Sequence, residues 1–168
     1  MISLGMTAPD QFSNEWLDEQ WSLMAEWAEE ALIEKINRLG EENAFLLAYL
    51  SDIGEDSLPE DGQELLLFLG VFIQEIYQKQ ADNPQASLEL SRLQETQKAN
   101  EELLDLLSEQ PDQFERSVSL LLEFHESRIL LDFLGEILFE EEEMEDLVEE
   151  SLWEIWIYLK ILIEAMND

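Results

Sequence analysis

LLLFLGVFI, residues 65–73, places nine residues in a row without one polar side chain. Wound as a helix, this run is apolar on every side, and such a helix is stable only where neighbours cover it all round. No segment of the chain alternates with a period of two, and no Asn-Gly or Asp-Gly pair joins strand-like runs. The run therefore predicts the central helix of an all-α protein. Ser57 and Glu60 have capping-box spacing with Pro59 between them, so this helix is expected to begin there.

Outward from that centre the periodicity continues to be helical. At 100° per residue, Phe12, Trp16, Leu17, Trp21, Leu23, Met24, Trp27, Ala28, Ala31 and Leu32 share one arc, which predicts a single helix over 13–39 with Gly40 as its stop. A second helix is expected over 41–53, ended by the glycines and proline of GEDSLPEDG. Asn83 before Pro84 reads as the N-cap of a helix reaching about Gln110, with an apolar seam that Gln97 and Asn100 interrupt, as register-fixing polar residues or as a kink. Pro111 opens a fifth helix, and the acidic run at 140 opens a sixth that continues to the C-terminus. The expected fold is thus a single acidic α-helical domain over residues 1–168, an antiparallel bundle of about six helices, with residues 1–12 loosely ordered.

Charge narrows the partners. The chain has 168 residues, of which 41 are acidic and 8 basic, for a formal charge of -33. Its basic residues, Lys35, Arg38, Lys79, Arg92, Lys98, Arg116, Arg128 and Lys160, stand singly. No cluster exists that could neutralise a run of phosphates, so direct nucleic-acid binding is not expected, and anionic lipid headgroups are repelled. The natural electrostatic partner is a basic protein. No cysteine is present, which excludes disulfides, thiolate metal sites and thiol catalysis. The most apolar window, residues 152–163, contains Glu154 and Lys160 and falls short of the ~20 residues of a membrane span. The N-terminal stretch lacks the pattern of a signal peptide, so a cytoplasmic location is expected.

Two carboxylate-rich regions are the candidate binding faces. The first is the outer arc of the first expected helix, with Glu15, Asp18, Glu19, Glu26 and Glu29. The second is EEEEMEDLVEE at 140–150, which holds eight carboxylates in eleven positions: Glu140, Glu141, Glu142, Glu143, Glu145, Asp146, Glu149 and Glu150. Carboxylates in a first turn favour the helix dipole, but that effect fades after one turn, and these acids continue beyond it. Next to them Trp153, Ile157 and Ile161 recur at i, i+4 and i+8, away from the core stripe of Met144, Val148, Leu152, Ile155, Leu159 and Leu162. That second stripe is either a tryptophan anchor ringed by acids or a surface covered by another helix or by a second protomer.

Enzymatic chemistry has one sharp form here. Glu123, Glu126, Glu143 and Asp146 match the E-x-x-E and E-x-x-D pattern of all-α nucleotide pyrophosphohydrolases, whose carboxylates cage Mg²⁺. In a chain this rich in glutamate about one such match arises by chance. The four could meet only if the fifth helix broke near Gly135. A di-iron bundle needs two Glu-x-x-His pairs and the chain has one histidine, His125, which lies on an apolar stripe and reads as a hydrogen-bonded core residue. A calcium loop starting at Asp52 would put Ser57 where glycine is required and Gln63 where the bidentate glutamate belongs. No metal or other cofactor is expected.

Duplex DNA carries one charge per about 1.7 Å, so a domain ~40 Å across corresponds to roughly two dozen phosphates, and the formal charge is of that order. The expectation is a noncatalytic protein that docks on a basic surface as an inhibitor imitating nucleic acid, an immunity-type protein or an adaptor.

Overall fold

The computed structural model describes residues 12–80, 89–140 and 147–167. Among these residues every regular element is a helix: α1 (Asn14–Ala25), α2 (Glu29–Glu42), α3 (Ala44–Asp52), α4 (Glu60–Gln80), α5 (Leu90–Ala99), α6 (Glu101–Glu109), α7 (Pro111–Glu123), α8 (Arg128–Glu140) and α9 (Glu149–Asn167). The expected all-α class holds. The expected number of helices does not, because three of the six are each interrupted once, at 26–28, at Asn100 and at 124–127.

The first interruption is a tertiary effect. Nothing in AEWAEEAL breaks a helix, yet α1 packs on α4 and α8 while α2 packs on α3 and α4. The chain turns at Trp27, whose ring lies 4.6 Å below the Lys35 ammonium, and Lys35 in turn reaches Glu75 of α4 at 3.1 Å. Leu23, placed on the inner arc by the sequence, ends up about half exposed next to that turn. Gly40 is no stop either. Helix α2 runs through it to Glu42, and a Cβ there would stand 2.9 Å from the Leu47 side chain, so the glycine serves the close packing of α2 on α3.

Helix α4 contains the opening run and is covered as expected, with Leu66, Leu69, Val71, Phe72, Ile73 and Ile76 buried. A Cβ on Gly70 would meet Leu50 at 2.5 Å, and only glycine allows α3 that near. Gly54, at φ 78°, makes the turn between the two helices in the left-handed region. Ser57 does not cap α4. Its hydroxyl donates to the Glu154 carboxylate, and Tyr158 donates to the same oxygen at 2.5 Å.

Helix α9 is the axis of the fold, in contact with α4, α5, α6 and α8. Residues 155–163 are buried without exception, Lys160 included. Each large apolar side chain removed from water contributes about 1.5–3 kcal/mol. Trp156 adds a polar tie, its indole N–H donating to the Leu131 carbonyl at 3.1 Å. Among the described residues no helix is long and apolar enough to cross a membrane.

Candidate functional site

Glu15, Asp18 and Glu19 stand exposed on α1, Glu26 is exposed at its C-cap and Glu29 is exposed in the first turn of α2. The break at 26–28 divides this set, so the continuous acidic face of one long helix is replaced by two shorter faces. Glu140 is exposed at the end of α8, whereas Glu141, Glu142, Glu143, Glu145 and Asp146 lie outside the described residues.

Glu149, Glu150 and Trp153 are brought together with residues that the sequence did not single out. They line a cleft of about 280 Å³ with Asp112, Phe114 and Glu115 of α7. Pro111 at the first position of α7 sets the start of that helix and aims Asp112 and Glu115 toward the beginning of α9. The Glu115 carboxyl lies above the ordinary carboxylate range, first because it hydrogen-bonds Glu149, then through desolvation and the charges of Glu149 and Asp112. Like charge is therefore concentrated here, and a cation would relieve it.

Trp153 is a wall of this cleft, not a protruding anchor. Its ring is half-buried, 5.0 Å from Phe114 and 4.6 Å from Phe139, and its Nε1 is buried with no hydrogen-bond partner among the described residues. Ile157 and Ile161 are fully buried. The stripe they form with Trp153 is thus covered by other helices of the same chain, the second of the two readings the sequence allowed. Val148, placed on the core stripe, is exposed because α9 begins only after it.

A second polar constellation lies inside the fold. Lys160, 3% exposed, donates to Asn100 Oδ1 at 2.6 Å and to Glu164 Oε2 at 2.9 Å. Asn100 donates to Glu164 Oε1 at 2.8 Å and to the Thr96 carbonyl at 2.8 Å. The Ser127 N–H donates to His125 Nδ1 at 3.0 Å, which leaves the ring proton on Nε2, 2.8 Å from Glu164 Oε2. Burial raises the Glu164 carboxyl, but hydrogen bonds from His125 and Asn100 and the charge of Lys160 outweigh it and hold the group at about 2. Two of the three interrupted helices are pinned here: Asn100 is the joint of α5 and α6, and His125 lies in the joint of α7 and α8. The expected hydrogen-bonded core histidine is found, and with both ring nitrogens engaged it is not poised as a general base.

The carboxylates of the Mg²⁺ pattern are not brought together among the described residues. Helix α7 ends at Glu123, Glu126 falls in the joint, both are exposed, and Glu143 and Asp146 lie outside the described residues. The break comes at 124–127, not near Gly135. No group of three or more metal-ligating side chains positioned for one ion occurs among the described residues.

All but three of the described carboxylates are exposed. The exceptions are Glu75, Glu154 and Glu164, and each is held by a partner: Lys35 for Glu75, Ser57 and Tyr158 for Glu154, the buried constellation for Glu164. Negative charge goes outward unless something specific retains it. Comparison with protein-family models, with curated proteins and with solved structures finds no match to this chain.

Proposed function

We propose that this protein is a noncatalytic, single-domain helical bundle that docks on the basic surface of another protein, as an inhibitor imitating nucleic acid, an immunity-type protein or an adaptor. The observation that carries this reading is the outward placement of nearly every described carboxylate in a chain of formal charge -33. Such a field steers a positively charged macromolecule and falls off with salt. The cleft of Asp112, Glu115, Glu149, Glu150 and Trp153 gives it a focus. A lysine or arginine side chain entering there answers the like charge of Glu115 and Glu149 and lays its stem against Trp153 and Phe114. The Mg²⁺-dependent hydrolase alternative has no comparable geometric support.

The test is capture by the immobilised protein from a cell extract at low and high salt, with duplex DNA as competitor. The expected result is a basic protein retained at low salt, released at high salt, displaced by DNA and retained less by the Glu149→Gln/Glu150→Gln variant. Retention that DNA does not compete leaves the adaptor form and removes mimicry. If no basic protein is enriched at low salt, the proposal fails. A Mg²⁺ titration followed by heat release and nucleotide turnover tests the rival: a tight stoichiometric site lost in Glu123→Gln would replace binding by hydrolysis.

A further inference from the structure

Phe124 is 87% exposed, the most exposed large apolar side chain among the described residues, and Leu120, one turn before it, is 62% exposed. Their position follows from the joint. Helix α7 ends at Glu123, with the Phe124 N–H donating to the Leu121 carbonyl and the His125 N–H to the Leu122 carbonyl, and the His125 side chain turns inward to meet Glu164. Residues four apart at a helix end lie side by side, so Leu120 and Phe124 form one apolar surface.

Phe124 also walls an open cleft of about 540 Å³ lined by Glu95, Thr96 and Ala99 of α5 and by His125, Glu126 and Glu164. Neither lysine nor arginine is among these lining residues. Glu164 is neutralised within the fold by Lys160, whereas Glu95 and Glu126 are exposed, as is Glu123 beside Phe124. An aromatic ring and an aliphatic side chain in water, with carboxylates around them, fit a partner that is apolar and positively charged within one turn of helix.

We infer that Leu120, Phe124 and this cleft are a docking surface for a basic amphipathic helix of another protein. An apolar side chain of that helix packs on Leu120 and Phe124, and a lysine or arginine three or four positions away reaches Glu95 and Glu126. The inference rests on the reading that partners are basic and adds where and in what form they bind. A second copy of the chain is a poor occupant, because each copy carries a formal charge of -33 and would bring like charge to the cleft.

Two labelled synthetic peptides of leucine, lysine and arginine test it, one ordered so that the leucines form a helical face and one with the same composition scrambled. Anisotropy titrations use the full chain, Phe124→Ser, Leu120→Ser and Glu95→Gln/Glu126→Gln, each first checked for an unchanged thermal midpoint, as exposed positions allow. The amphipathic peptide is expected to bind the unaltered protein about tenfold tighter than the scrambled one, and Phe124→Ser is expected to remove that preference. Salt-sensitive binding of the scrambled peptide should persist in the variant. Equal binding of both peptides to the unaltered protein and to Phe124→Ser overturns the docking surface and leaves the general basic-partner reading in place. If neither peptide binds at low salt, both fall. Self-association that Phe124→Ser abolishes would assign the surface to a second copy instead.

Discussion

Two groups of glutamates sit at different points along α9 and meet opposite fates. At its start, Glu149 and Glu150 face Asp112 and Glu115 across an open cleft with no basic residue in its lining. Fifteen residues past Glu149, Glu164 lies among Asn100, His125 and Lys160, and every oxygen has a donor. Residue type is the same in both. What differs is the partner set, and the carboxyl responds: it is raised at Glu115 and held at about 2 at Glu164. In this chain charge is structural where it is cancelled and faces solvent where it is not.

The contrast breaks most visibly at Lys160. In Lys160→Met the ammonium is lost while Asn100 Oδ1 and Glu164 keep their buried positions, and removing one member of a buried pair costs about 3–5 kcal/mol. The open side of Glu164 admits water and moderates this, so a loss of about 3 kcal/mol is expected in denaturant unfolding. Because the group is buried, that loss should be nearly the same at low and high salt. The midpoint of the unaltered protein, by contrast, should rise with salt as surface repulsion is screened. A Lys160→Met penalty that disappears in salt would place the constellation with the surface charges.

A smaller effect is expected with pH. Glu164 has a folded value of about 2 against an ordinary 4.5, so its contribution is present above the higher value and is lost as pH falls through the window down to about 2. Partial exposure reduces the amount to about 1–2 kcal/mol. Surface carboxylates gain protons in the same range and relieve repulsion, so the measurement is the difference between the unaltered protein and Glu164→Gln. The gap should be full near neutrality and narrow below pH 4. A gap independent of pH would mean that Glu164 is not held ionised by its neighbours.

The same distinction separates what the sequence made legible from what it hid. The apolar run at 65–73 located the core of α4, because such a run admits few environments, and in α9 periodicity found Leu152, Ile155, Leu159 and Leu162 but put Val148 inside and Ile157 and Ile161 off the core stripe. The acidic faces were legible as composition, and Glu149, Glu150 and Trp153 do line one cleft. Asp112 and Glu115 were missed because they join that cleft only through the packing of α7 on the start of α9, which no spacing encodes. The buried constellation left a faint trace: Lys160 and Glu164, four apart, are charges in an otherwise apolar helix, and Asn100 interrupts an apolar seam. The joints at 26–28 and 124–127 contain neither glycine nor proline and arise from tertiary contacts, so a reading by local propensity runs straight through them.

The weakest effect probes the other side of the comparison, the carboxyl pair at the cleft. Glu115 is raised above its ordinary value, so the favourable contribution of its contact with Glu149 is complete below the unfolded value and is lost as pH rises through the folded one. Above that point two negative groups face each other. Glutamine at 115 keeps a donor toward Glu149 at every pH and carries no charge. Glu115→Gln should therefore equal the unaltered protein in acid and exceed it in thermal midpoint at neutral pH, by a small margin that salt erodes. In peptide titrations the same substitution should weaken binding of a basic partner, since it removes part of the charge that a cation would answer. A variant destabilised at neutral pH would mean that the pair is not repulsive, and the cleft would then lose its reason to accept a cation.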